Sequence, residues 1–453
     1  MYNCTGIAPP IRLVNGAYPI KNITIAVIGA GSRSFGHGVL NDIVLAKELA
    51  AACEVNVVLV DLDAQRLEQM LGLAQRCAQF AGSPVRFSAT TNREDALRGA
   101  DFVLVSVAIN RMELWEQDFR IPLSIGMKHC LGENGGPGAI FHALRNFELV
   151  MPICRDVERL CPKAWLINFT NPEARILTAI LALTRVKAIG LCHGFYYLHE
   201  IVQRIIRRPV AEIDIRSAGM NHFFNIYRLA DRKTGDDLRP ALAERIAADP
   251  HCLQPLTRHL WDTFGVLGMN SDDHIGEYIA YAHEFTGLRW PYGLEHRKVP
   301  RSPACTAHWL DDYFSGRRKI DEAFLKPSGE LALPIVADMV LDRKQWRPAV
   351  NLLNTEHYIG NLAKDACIEV PAVVDAAGVH PEHVGDLPEA FAAMIRLQHS
   401  IQRLLVEAYL ARSKRLLLQA LLLDPVTESA AQARKLIDIM FDVQAEYLPV
   451  FHE

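Results

Sequence analysis

Short apolar runs separated by amphipathic stretches fill the first half of the chain: Ile23 to Ile28 (ITIAVI), Val55 to Val60, Arg86 to Thr90 (RFSAT), Phe102 to Ala108 (FVLVSVA), Ala164 to Phe169 (AWLINF) and Val186 to Leu191 (VKAIGL). Each run has the length of one buried strand, and Ala64 to Ala78 between two of them carries a helical pattern. Strands alternating with helices predict a parallel, doubly wound α/β sheet. Past about residue 200 the pattern changes to the mixed strands IDIRSAG and FFNIYRL, then to long helical stretches around Glu330 to Asp342 and Ala390 to Leu423. That change predicts two units, 1–195 and 196–453, the second an α+β domain packed on the first. No internal repeat or low-complexity linker is evident.

The first strand breaks directly into Gly29-Ala30-Gly31-Ser32, ahead of a helical stretch that begins near Gly38. Strand, glycine turn and helix in that order are a dinucleotide-binding start. Gly29 permits the tight turn, Gly31 lets the backbone approach a pyrophosphate, and the helix, with Ser32 before it, offers N–H groups to the anion. The third glycine of the GxGxxG spacing would fall at Ser34, so Gly36 is expected to take the close-packing role in a longer turn. The second strand ends in Asp61-Leu62-Asp63, where Asp61 is expected to bind ribose hydroxyls and Asp63 to cap the next helix. The first unit is therefore expected to be a Rossmann-like NAD-binding domain, in an architecture like that of lactate and malate dehydrogenases. Ligands in such sheets bind at the carboxyl ends of the strands. Asn110-Arg111, Asn168 with Thr170-Asn171-Pro172, and Cys192-His193-Gly194 fall there, Asn110 on the cofactor side.

Composition narrows the classes. The chain has 453 residues, half of them apolar, which is ample for two domains with their own cores. A net charge of -4, with basic residues scattered among acids, gives no stripe for a phosphate polymer and no polybasic membrane patch, so nucleic acid and membranes are not expected as partners. The N-terminal residues lack a basic and then apolar export signal, and no stretch of about 18 uncharged apolar residues follows. Ten cysteines without regular close spacing read as buried thiols, so a reducing, cytoplasmic location is expected.

Several polar residues admit both a chemical and a plain reading. Cys192 alone is a small core residue; beside His193 it suggests a borderline divalent cation, although adjacent side chains on a strand point to opposite faces. A second nitrogen ligand must then come from elsewhere, and His222 in the turn Gly219-Met220-Asn221-His222 is its natural source, with a surface histidine as the equal alternative. Ser271-Asp272-Asp273-His274, followed by Glu277-Tyr278, offers a general base or an exposed acidic helix start capped by Ser271. The segment from Asp118 to Asn146 contains the glycine-rich Gly132-Glu133-Asn134-Gly135-Gly136-Pro137-Gly138, a flexible connection or a set of backbone donors for sugar oxygens.

Taken together, GAGS, DFRIPLSIG with GENGGPGAIFHALRN, INFTNPEA, GLCHGF, GMNHF, SDDHIGEY and the late block VNLLNTEHYIGNLAKDACIEVPAVVDAAGVHP resemble glycoside hydrolase family 4, the NAD- and manganese-dependent glycosidases, from Ile23 nearly to the C-terminus. The resemblance implies that Cys192 and His222 ligate Mn²⁺ or another divalent cation whose shell the sugar hydroxyls complete. It places Asn171 and Asp118 at the sugar, His193 as the acid that assists the leaving group, and Asp273 as the base for the C2 proton, with Tyr278 second. It implies a homodimer or homotetramer. In such a reaction NAD⁺ oxidises C3, the C2 proton becomes acidic, the glycosidic oxygen leaves by elimination, water adds at C1 and the hydride returns. The resemblance implies that the usual pair of carboxylates is not used.

The Cys-His-Gly-Phe sequence after the strand resembles the uronide-cleaving members, so an α-galacturonide or related α-uronide is the expected substrate. Its carboxylate calls for a cation, and Arg297 or Arg289 could supply one, each equally readable as a surface charge. Neutral-sugar α-glucosidase or α-galactosidase activity is the alternative within the family. Outside it stand a hydroxyacid dehydrogenase, which leaves Cys192 without a role, and a non-catalytic NAD-bound sensor.

Overall fold

A computed structural model describes residues 21–32, 35–290 and 309–453. Six parallel strands, β1 (Lys21–Ile28), β2 (Cys53–Val60), β3 (Arg86–Thr90), β4 (Phe102–Val105), β5 (Trp165–Asn168) and β6 (Lys187–Gly190), lie in the order β3-β2-β1-β4-β5-β6. This is the doubly wound dinucleotide-binding order, with its switch point between β1 and β4. The continuous apolar runs seen in the sequence follow from this placement: Ile25, Val57, Leu104 and Leu166 are all buried, because helices cover both sheet faces.

The sheet continues into the second half of the chain. Strands β7 (Ile213–Met220), β8 (Phe223–Asp231), β9 (Gln345–Leu353), β10 (Cys367–Asp375) and β11 (Gly378–Pro381) extend it antiparallel, joined through β6 and β9 at Gly190 and Asn351. One sheet of eleven strands therefore crosses the expected boundary at residue 195.

Helix boundaries shift where local chemistry decides them. The helix after the glycine turn, α1 (Gly36–Leu45), starts two residues before Gly38. The next, α2 (Ala64–Ala81), begins where the Asp63 side chain accepts from the Arg66 amide. The late helical stretch is two helices, Glu389–Ala411 and Lys414–Leu423, because Arg412 turns left-handed and Ser413 caps the second through the Leu416 amide. Further on the site-bearing side are α3 (Arg111–Ser124), α4 (Gly136–Leu160), α5 (Glu173–Leu183) and α6 (Gly194–Ile206). Among the described residues no helix is long and apolar enough to cross a membrane.

Candidate active site

The glycine turn is built by exclusion. Gly29 has φ +87°, and a Cβ there would stand 2.0 Å from the Ser106 carbonyl oxygen at the end of β4, so no other residue fits. Gly36 takes the close-packing role: a Cβ on it would meet the Ala30 carbonyl oxygen at 2.5 Å and the Met70 side chain at 2.6 Å. The Asp61 carboxylate accepts from the Gly31 amide at 2.8 Å and from the Asp63 amide at 3.0 Å. That fixes it at the tip of β2 against the turn, where each oxygen keeps capacity for a ribose hydroxyl. Ser32 belongs to the turn, its hydroxyl accepting from the Phe35 amide. Asn110 initiates α3 in a left-handed conformation, with its amide on the Tyr447 hydroxyl at 3.0 Å.

On the other side of the strand tips, Cys192 Sγ and His222 Nε2 lie 3.3 Å apart. His222 sits at φ +63° in the turn between β7 and β8 and is buried, which removes the surface-histidine alternative. Burial, followed by the charge of His274, depresses its imidazole to about 3, so it is the neutral form that can ligate a cation. Bonds of about 2.3 Å to sulfur and about 2.1 Å to nitrogen put two ligands about 3.1 to 3.6 Å apart between right and tetrahedral angles. The observed separation fits. Burial and then Glu369 push the Cys192 thiol well above its ordinary value, so its thiolate needs a cation as counter-charge. Asn221 steadies the sulfur with a side-chain hydrogen bond and donates to Glu369 Oε2 at 3.2 Å, which also accepts from Asn351 at 3.0 Å. Among the described residues no group of three His, Cys, Asp or Glu side chains converges as a metal site.

Asp273 lies beside this pair. Its Oδ1 accepts from Ser271 Oγ at 2.6 Å and pairs with His274 Nδ1 at 2.9 Å, and the His274 and His222 rings are 5.1 Å apart. Burial would raise the Asp273 carboxyl, but the His274 hydrogen bond and charge and the Ser271 hydroxyl outweigh it and hold the group below the ordinary carboxylate range. His274 moves the other way: burial opposes charge, yet Asp273 lifts it to about 9. Asp273 is thus ionised and partly exposed, so it can accept a proton, as a weaker base than a free carboxylate. Tyr278 is fully buried, its hydroxyl 3.4 Å from the Asn221 carbonyl, and burial raises its pKa well above a normal phenol, which opposes a base role. Ser271 is the N-cap of its short helix without a side-chain cap bond, while Asp272 serves a neighbouring helix by accepting from the Leu256 and Thr257 amides.

The glycine-rich loop brings two carboxyls together whose pairing the spacing does not reveal. Glu133 Oε1 receives Arg111 at 2.8 Å and Asn171 at 3.2 Å; burial would raise its carboxyl, but Arg111 and nearby imidazoles hold it at about 2. Glu277 Oε1 accepts from the Asn134 amide at 2.8 Å and from the Glu133 amide, and burial lifts it to about 8. Asn171 faces this cluster across a cis Asn171–Pro172 bond. His193 Nδ1 meets Glu330 Oε1 at 2.8 Å, and that bond raises the imidazole above its ordinary value.

Asp118 has a structural role in the fold. It is fully buried, with both oxygens on the Arg145 guanidinium and Oδ1 also on Gln444, so it braces α3 against α4. Arg289 is exposed, and Arg297 lies outside the described residues.

A dehydrogenase-like sheet with a thiol and an imidazole converging at its strand tips defines the class: a dinucleotide-type fold with a second, cation-competent site. The family 4 glycosyl hydrolase profile matches residues 24–208, and the profile of that family's C-terminal domain matches 217–427. The chain belongs to family 4 of the glycosyl hydrolases. It is 29% identical to an α-glucosidase of Erwinia rhapontici (94% of this chain, 98% of that one) and 30% identical to an α-galactosidase of Rhizobium meliloti (95% and 90%). It is 24% identical to an α-galacturonidase of Lachnoclostridium phytofermentans (95% and 97%). In fold it resembles a 6-phospho-α-glucosidase from gut microorganisms solved with NAD and Mn²⁺, at TM-score 0.79 and 21% identity over 95% of this chain and all of that one. It also resembles a malate dehydrogenase of Plasmodium falciparum, at TM-score 0.51 and 12% identity over 86% of this chain and 99% of that one.

Proposed function

We propose that this α-glycosidase works on NAD⁺ and a divalent cation held between Cys192 and His222, and that its substrate is an α-galacturonide. The carrying observation is the 3.3 Å approach of Cys192 Sγ to neutral His222 Nε2, with ionised Asp273 in the same cluster. When bound, NAD⁺ and the cation supply hydride exchange at the sugar's C3 and charge stabilisation there. The chain's own residues do the rest. Gly29, Gly31, Ser32 and Asp61 receive the dinucleotide, Asn110 stands at its edge, and Asn171 orients the sugar. Asp273 takes the C2 proton, and His193 gives a proton to the departing oxygen. Tyr278 holds the Asn221 carbonyl as a supporting residue.

The uronide assignment is supported by Cys192-His193-Gly194-Phe195 at the end of β6. A neutral α-glucoside or α-galactoside is the second reading, favoured by identities of 29% and 30% to such enzymes against 24% to the galacturonidase. Cytoplasmic location and assembly as a homodimer or homotetramer belong to the same proposal. The test is a panel of nitrophenyl α-glycosides with Mn²⁺, NAD⁺ and a thiol reductant, each omitted in turn. Loss of turnover without metal or dinucleotide, and preference for the galacturonide over the matching galactoside, are expected. Preference for the galactoside rejects the uronide, and turnover without NAD⁺ rejects the chemistry.

A further inference from the structure

We propose that Glu330 is the positioning residue of the leaving-group acid: it holds His193 by Nδ1 so that Nε2 faces the glycosidic oxygen, from a loop braced on the cofactor-side helix α1. The inference rests on the acid role of His193 above and adds a carboxylate that none of the recognised motifs contains. His193 Nδ1 and Glu330 Oε1 are 2.8 Å apart, and the burial is unequal: the carboxylate side chain is 15% exposed and the imidazole 58%. The inner partner is thus the anchor and the outer one the working group.

The anchor is fixed from two sides. From α1, Asn41 Nδ2 donates to the Phe324 carbonyl at 2.8 Å and the Lys326 carbonyl at 3.2 Å, and the Asp42 carboxylate accepts from the Ser328 amide at 2.7 Å and from the Ser328 hydroxyl. Ser328 Oγ in turn accepts from the Glu330 amide at 3.0 Å. From α6, whose N-cap is His193, Tyr196 donates its hydroxyl to the Gly329 carbonyl at 2.6 Å. Seven residues of chain, Phe324 to Glu330, are therefore stretched between the helix that opens onto the cofactor turn and the helix that begins at the acid.

An imidazole held at Nδ1 by a carboxylate has its tautomer and ring orientation set, leaving Nε2 as the only nitrogen that can exchange a proton with substrate. The proton balance is simple. As the C1–O bond breaks, its electron pair stays on the departing oxygen, which takes the Nε2 proton to become the free alcohol. The C2–H pair becomes the C1=C2 bond as that proton passes to Asp273. His193 is left neutral, with its Nδ1–H still hydrogen-bonded to Glu330.

The experiment compares methyl and para-nitrophenyl α-glycosides of the preferred sugar with the holoenzyme and its Glu330→Ala, Glu330→Gln and His193→Gln variants. A poor leaving group needs the acid and a good one does not. Glu330→Ala should lower kcat on the methyl glycoside about 10- to 100-fold, with para-nitrophenyl turnover and both KM values within about 2-fold. Glu330→Gln keeps an oxygen that can accept from Nδ1 and should recover most of the loss. His193→Gln should show the same selectivity, and adding Glu330→Ala to it should cost nothing further. Equal losses on both substrates in Glu330→Ala and Glu330→Gln, with a selective loss in His193→Gln, overturn the positioning role and leave the acid role standing. A His193→Gln variant without leaving-group selectivity overturns the acid role and this proposal with it.

Discussion

The glycine turn, proposed for the cofactor, and the Cys192–Asp273 cluster, proposed for the sugar, sit at the same edge of one sheet and are built on opposite principles. The turn is made of absent side chains: Gly29 and Gly36 are where they are because a Cβ would strike Ser106 or Ala30, and its specificity comes from backbone N–H groups. The sugar side is made of ionisable side chains taken out of water, with Glu133, His222, His274 and Glu277 all buried or nearly so and displaced from their ordinary pKa values in both directions. A dinucleotide brings its own charge and needs space. A substrate that must lose a carbon-bound proton needs groups whose protonation is decided by the protein. The first region should therefore fail when atoms are added, and the second when atoms are removed.

The largest expected effect is on the scaffold of the sugar side. Asp118→Ala leaves the Arg145 guanidinium buried without its carboxylate and should cost about 3–5 kcal/mol of stability in urea melts, with unchanged KM in the folded fraction. A KM change with little loss of stability would return Asp118 to the sugar. Next, Cys192→Ala should lower kcat about 10²- to 10³-fold and weaken Mn²⁺ binding followed by electron paramagnetic resonance, while NAD⁺ affinity holds. On the cofactor side, Gly29→Ala should destabilise by about 1–3 kcal/mol and abolish NAD⁺ binding, because the added methyl meets backbone and not a movable side chain.

Acid–base linkage sharpens the contrast further. Glu277 at about 8 and Glu369 at about 7, both raised by burial from 4.5, hold their protons more tightly in the folded chain. Each contributes stability that is full below about pH 4.5 and is lost as pH rises through its folded value. His274, raised to about 9 from 6.5, extends that loss upward. Below about pH 6.5 buried imidazoles depressed like His222 add stability as pH rises and oppose this loss. Unfolding free energy should therefore fall between pH 7 and 9, by no more than about 1.4 kcal/mol per pH unit for each group, and Glu277→Gln should flatten the slope. A curve that is flat in this range, or that rises, contradicts the assigned burial. The smallest effects separate neighbours: Asp61→Ala should weaken NAD⁺ about tenfold, and Asp63→Ala should cost about 1 kcal/mol of stability as a lost helix cap with NAD⁺ affinity unchanged.

The same division governs what could be read from the sequence. The turn, Asp61, Asp63 and the substitute glycine at Gly36 are all legible because they are local: strand, turn and helix follow one another within the first eighty or so residues, and their roles depend on backbone geometry. Cys192 and His222 were legible only as members of motifs, since thirty residues separate them and an exposed histidine was as good an explanation until the left-handed turn at His222 put it inward. Asp118 and Arg145 both lie in the motif blocks, but their pairing across two helices is not visible in the spacing. The roles of Glu330 and Glu369, and the partners of Glu277, are hidden for the same reason. An isolated glutamate gives no periodic or spacing signal, and its role is set by partners more than a hundred residues away in sequence. The continuation of the sheet through β9 and β10 was also hidden, because antiparallel strands of the second half show no sign of pairing with β6.

The central claim is that Asp273, beside the Cys192–His222 pair, removes the proton from C2 of the bound sugar. Turnover of the best nitrophenyl α-glycoside in D₂O, with NAD⁺ and Mn²⁺ present and the released sugar examined by proton NMR, tests it most directly. Deuterium at C2 of the product, with release slowed in Asp273→Asn, is the predicted result. Product that keeps its full C2 proton signal while cleavage proceeds at the normal rate contradicts the account.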